Sequence, residues 1–160
     1  MSGVHARKRK LADKEFFRTA IEIRVEITKL MASDKVVPKA YRLMGAVPTV
    51  ATARELVNNI ETASAFYPNT PHGVLQRKHY LTLAIANCYQ LVQDLQTLKD
   101  IGLPVNVNRY KKAADLLDRE IALLTGTKKN VRLVGSATVA QRIEKLEQEI
   151  AELRRCAEGE

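Results

Sequence analysis

The chain has 160 residues, with 26 Lys and Arg against 18 Asp and Glu, for a formal net charge of +8. Its 46% hydrophobic and 28% charged residues make a globular balance that excludes a wholly disordered chain. Seven Gly and five Pro are few for the turns of an all-β protein, and no apolar run approaches the ~18 residues of a membrane span.

Taken in order, the chain reads as a basic arm over 1–14, a main domain over 15–130 and a charged helix over 136–160. The arm carries Arg7, Lys8, Arg9 and Lys10, followed by Leu11-Ala12-Asp13-Lys14-Glu15 where a signal peptide would need an apolar core. Residues 1–130 have a net charge of +9 and residues 131–160 of −1, so the positive excess lies outside the tail. Cys88 and Cys156 stand far apart and form no ligand pair, which predicts a reducing, cytoplasmic setting.

Four stretches of the main domain have a helical period. Phe16, Ala20, Ile23, Ile27 and Leu30 form the first stripe, and Ser33-Asp34 ends it. The second lies between Pro38 and Tyr67, with Val50, Ala53, Val57, Ile60, Ser64 and Tyr67 on one face and Thr52 with Glu55 as a candidate capping box. Its first part is either a separate short helix over Pro38–Met44 or part of one long helix kinked at Pro48. The third is capped by Thr70 with Pro71 at its first position. It carries Leu81, Ala84, Cys88, Leu91, Leu95 and Leu98, and stops at Gly102 and Pro104. Asn106 or Asn108 caps the fourth, whose stripe is Tyr110, Ala114, Leu117, Ile121 and Leu124 before Gly126 ends it. Such helices bury their stripes as an antiparallel up-down four-helix bundle, so the fold class expected is all-α.

The tail has a heptad pattern. Ile143 and Ile150 fall at a, Leu146 and Leu153 at d, Arg142 and Glu149 at g, Glu147 and Arg154 at e. Ile at a with Leu at d favours two parallel strands, and each g residue would meet an opposite charge at e of a partner. Ile143, Leu146, Ile150 and Leu153 are the candidate oligomer or partner interface; the alternative is a helix that packs on its own bundle or frays, since fewer than three heptads rarely hold a dimer alone.

Catalytic chemistry needs a nucleophile beside a base, a metal cluster or paired carboxylates. His72 and His79 have no Cys, Asp or Glu at ligand spacing and read as surface residues. Cys88 sits in an apolar stripe. Glu22, Glu26, Glu55, Glu61, Asp115, Asp118 and Glu120 read as scattered carboxylates of helix faces. No phosphate loop or dinucleotide fingerprint is present. The expectation is a non-enzymatic protein without metal or cofactor.

Positive charge is the remaining lead. An up-down bundle brings the arm, the start of the third helix (Arg77, Lys78, His79) and the exit of the fourth (Lys128, Lys129, Arg132) to one end. Such a cluster suits a phosphate backbone, RNA or DNA, without base-specific reading. The opposite end carries Lys35, Lys39, Arg42, Arg109, Lys111 and Lys112.

One stretch is telling: Arg77-Lys78-His79-Tyr80-Leu81-Thr82-Leu83-Ala84-Ile85-Ala86-Asn87-Cys88-Tyr89-Gln90-Leu91. With Glu120 to Gly126 before Lys128-Lys129, and with Val37 to Arg42 and Ala65 to Pro68, it resembles the Avd-like four-helix bundle proteins over about 15–130. That group includes the accessory variability determinant of diversity-generating retroelements and the proteins of rRNA intervening sequences. The resemblance implies a basic, homopentameric, non-enzymatic barrel that binds nucleic acid and a reverse transcriptase. It supplies no catalytic residues, and only its charge logic attaches here, to Arg77, Lys78, Lys128 and Lys129. The heptad tail and the longer arm depart from the group. A second expectation stands beside it: a protein-interaction module acting through the tail, with the basic surface incidental.

Overall fold

The computed structural model describes residue 11 and residues 14–103, 107–134 and 139–158. Over those residues the protein is all-helical, with α1 (Glu15–Ala32), α2 (Val47–Ala65), α3 (Pro71–Asp100), α4 (Val107–Lys129) and α5 (Val139–Glu158). Arg7, Lys8, Arg9 and Lys10 of the basic arm lie outside the described residues.

In α1 the predicted stripe is the buried face: Ala20, Ile23, Ile27 and Leu30 are inside, and Phe16 is half-buried. The Ser33 N–H donates to the Leu30 carbonyl and closes the last turn. Val36 and Val37 then tuck into the core.

The stretch before α2 follows neither of the two alternatives. A 3-10 turn (Lys39–Tyr41) passes into a π-helical turn (Arg42–Ala46), and α2 starts at Val47 with Pro48 in its opening positions. Proline suits that place because the first N–H groups of a helix lack intrahelical acceptors. The expected capping box is therefore absent. Thr52 already lies inside the helix, where its hydroxyl donates to the Pro48 carbonyl at 3.1 Å. Tyr67 lies beyond the helix end and is 53% exposed, so it does not extend the stripe.

Helix α3 matches its pattern residue by residue. Leu81, Ala84, Cys88, Leu91, Leu95 and Leu98 are all buried. The Gly73 N–H donates to Thr70 Oγ1 at 3.0 Å, Pro71 opens the helix, and Gly102 follows it with φ +81°. Thirty residues make it about 45 Å long, the longest of the helices described.

Helix α4 corrects the reading in three ways. It starts at Val107, so Asn108 lies within it and is no cap, while Asn106 lies outside the described residues. It runs through Gly126 to Lys129. Its inner face is Ala113, Leu117, Glu120 and Leu124, whereas Ala114 is exposed and Ile121 half-buried. Of the expected stripe, Leu117 and Leu124 are buried and Tyr110 and Ile121 pack partly against the core, while Glu120 takes an inner position.

α1 packs against α2 and α4, and α3 packs against the same two. Between α1 and α4, Glu15 pairs with Arg119 and Glu26 with Lys112 at 3.1 Å. Between α2 and α3, Asn59 Nδ2 donates to Asn87 Oδ1 at 2.8 Å. Phe66, just past α2, stacks on Tyr80 with centroids 5.7 Å apart. Ile23, Ile27, Leu56, Ile60, Leu81, Leu91, Leu117 and Leu124 meet in one core. Among the described residues, α5 packs substantially against none of these helices. No helix among the described residues is long and apolar enough to cross a membrane.

Two glycines behave oppositely. A Cβ on Gly73 would lie 2.4 Å from the Tyr67 carbonyl oxygen, while one on Gly126 meets nothing within 4 Å. Gly73→Ala should destabilise the protein by about 1–3 kcal/mol through backbone overpacking. Gly126→Ala should stabilise it by about 0.5–1 kcal/mol through helix propensity. Urea unfolding of both variants checks this, and equal effects would refute the close approach at Gly73.

Candidate nucleic-acid interface

The basic end is built from separate pieces of chain. Lys14 precedes α1, Arg77 stands in the second turn of α3, and Arg132 follows α4. All three line one open cleft of about 870 Å³, together with Phe16, Tyr67 and Val134. The backbone sets Arg132 in place. Val131 is buried on one side of it, and on the other the Val134 N–H donates to the Pro68 carbonyl at 2.7 Å. Among the described lining residues one is acidic, Glu15, and its carboxylate is engaged by Arg119.

Arg77 and Arg132 thus share a site, as the sequence suggested. Lys128 reaches across from α4 to α3, where its Nζ donates to Thr82 Oγ1 at 3.2 Å. Lys78 is half-buried and Lys129 exposed; neither lines the cleft. Lys14 and Tyr67 line the cleft but are not among the residues the sequence predicts for this site. The signal for Lys14 was its place immediately before the first stripe, which puts it at the same end as Arg77. The lining includes residues from the start of α1, the turn after α2, the second turn of α3 and the end of α4, so helix partial charges of both signs meet at the cleft. The potential comes from the side chains.

At the other end the cations are partly occupied. Arg42 pairs with Asp34 and donates to the Ala32 carbonyl, and Lys112 pairs with Glu26. The hydrogen bond from Lys112 is the main reason the Glu26 carboxyl sits below its ordinary range. Lys35, Lys39 and Lys111 are exposed there.

The aromatics beside the basic end have packing roles. His72 meets Phe66 edge-on, His79 meets Tyr80 edge-on, and Phe66 stacks on Tyr80. Both histidines are exposed, and no group of three potential metal-ligating side chains occurs among the described residues.

Glu120 is the residue that sequence reasoning misplaced. It is fully buried, and neither carboxyl oxygen has a hydrogen-bond partner. The signal was legible, since 120 lies three residues after Leu117 and four before Leu124, on the apolar stripe itself. Burial pushes its pKa up to about 8, against the pull of Arg119, so at neutral pH the side chain is mostly the neutral acid. Burial, and then the charge of Glu120, push the Cys88 thiol up to about 12, which keeps it from acting as a thiolate.

Glu120 makes stability pH-dependent with a definite sign. The folded state keeps the proton up to about pH 8, whereas the unfolded chain releases it near 4.5. The stabilisation from this group is complete below pH 4.5 and is lost as pH rises to about 8. The shift corresponds to at most about 5 kcal/mol. Glu120→Gln should flatten the fall in stability between pH 4.5 and 8, read from denaturant midpoints across that window. A slope identical to the parent's would show that Glu120 does not hold this proton.

Compared with protein-family models, curated proteins and solved structures, the chain matches none.

Proposed function

We propose that this is a non-enzymatic nucleic-acid-binding protein that holds RNA or DNA by the phosphate backbone at its basic end. The observation that carries this reading is the cleft at which Lys14, Arg77 and Arg132, from three separate stretches of chain, converge. The net charge of +8 supports it, because a polyanion is the partner such a surface attracts at long range. The helix pairings are consistent with an antiparallel up-down four-helix bundle, the arrangement that brings those stretches to one end. By the Avd-like resemblance, the specific role is that of an accessory to a reverse transcriptase, holding template RNA or complementary DNA while the polymerase does the chemistry. A cytoplasmic location fits that role.

A second reading rests on α5, whose apolar positions are open to water. In it the protein is an interaction module and the basic end is incidental. Removing residues 136–160 would then abolish partner binding.

The test is binding of purified protein to structured RNA and duplex DNA over a salt series. Arg77→Glu with Arg132→Glu, at the cleft, should weaken binding alike for all sequences, and Lys128→Glu with Lys129→Glu, beside it, should do so less. The slope of log K against log salt should become shallower by about 0.7–0.9 for every phosphate the variant no longer neutralises. Salt-insensitive binding, or full affinity in both double variants, would refute the interface.

A further inference from the structure

We propose that α5 seats a second copy of this chain, the two helices pairing in parallel, so that two basic ends lie side by side and grip one polyanion. The gripping rests on the function proposed above; the pairing does not.

Four large aliphatic side chains on α5 face water: Ile143 is 50% exposed, Leu146 52%, Ile150 49% and Leu153 69%. Their spacing of three, four and three puts them on one face. Among the described residues, the helix packs substantially against none of the other four. A lone helix of 20 residues is marginal in water, so covering that face with a partner would stabilise it.

The charges beside the stripe select the occupant. In a parallel pair, Arg142 at g lies opposite Glu147 of the partner subunit, and Glu149 at g opposite Arg154 of the partner subunit. Symmetry repeats both pairs, and every one is attractive. In the antiparallel register that sets Ile143 against Leu153, Glu147 and Glu149 would instead meet their own copies. A second copy therefore satisfies the stripe and its flanks at once, in one orientation.

Chain length ties the pair to the basic end. Val134 is pinned to the Pro68 carbonyl at the rim of the cleft, and α5 starts at Val139. That step spans at most about 18 Å. Parallel pairing puts both helix starts at one end, so both clefts sit there too. Two such positive surfaces repel, and a coil of about two heptads holds them weakly. A nucleic acid lying across both removes the repulsion, so binding strengthens pairing and, by linkage, pairing strengthens binding.

The experiment is light-scattering mass of the full chain over a concentration series, with and without a short single-stranded RNA or a short duplex DNA. The wild type should have twice the mass of the Leu146→Glu/Ile150→Glu variant, whose bundle should melt as before. Nucleic-acid affinity should drop by about 100-fold in that variant. Orientation is read from Cys156→Ser/Ala157→Cys, which places a thiol at an a position. On oxidation the parallel pair gives a disulfide-linked dimer, and its absence overturns the parallel arrangement. Equal masses of wild type and variant at every concentration, with or without nucleic acid, overturn the pairing. In that case α5 serves its own bundle, if the variant also melts lower, or a different protein. A wild type that pairs but binds neither probe establishes the pairing and overturns the nucleic-acid reading. A variant that no longer pairs yet keeps its affinity overturns the shared grip.

Discussion

The unbroken apolar stripe of α3 is the constraint on which the other helices depend. From Leu81 to Leu98 it presents a continuous buried line, and α2 and α4 pack along its two sides. α1 then closes the gap between those two, so its own stripe is covered by both. The turn from α2 into α3 sets where this begins. Thr70 accepts the Gly73 N–H, and Gly73 passes too close to the Tyr67 carbonyl for any side chain. The same turn presents the Pro68 carbonyl that anchors Val134, so the position of Arg132 follows from the geometry that starts α3.

The core built this way contains one group that the hydrophobic effect alone would not select. Glu120 sits among Leu117, Leu124 and Cys88 without a hydrogen-bond partner. Keeping its proton avoids burying a charge, which would cost far more than a neutral acid. The fold therefore tolerates Glu120 as an acid and is strained by it as a carboxylate. Cys88 stays a thiol for the same reason, as an ionisable group in a dry place.

Charge and apolar surface are separated along the chain. The positive excess belongs to residues 1–130, while α5 is nearly balanced and carries the most regular exposed apolar stripe. Away from the cleft Lys112 pairs with Glu26 and Arg42 with Asp34, and at the cleft the one acidic residue among the described lining, Glu15, pairs with Arg119.

Much of the architecture was legible in the sequence, because a helix that buries one face must repeat apolar residues at its own period. The stripes of α1 and α3, the Thr70 cap, the stop at Gly102 and the heptad of α5 are local patterns, and local stereochemistry enforces them. The convergence of Arg77 with Arg132 was legible too, since helix order and short connections bring those segments together. The start of α2, the inner face of α4 and the burial of Glu120 were decided by tertiary structure. The π-helical turn before α2 packs closely enough that Gly45 approaches Leu98, a long-range approach that no local pattern encodes. Glu120 has the right spacing for the core but the wrong polarity. Only the apolar residues of other helices, folded around it, make it a neutral acid instead of a surface charge.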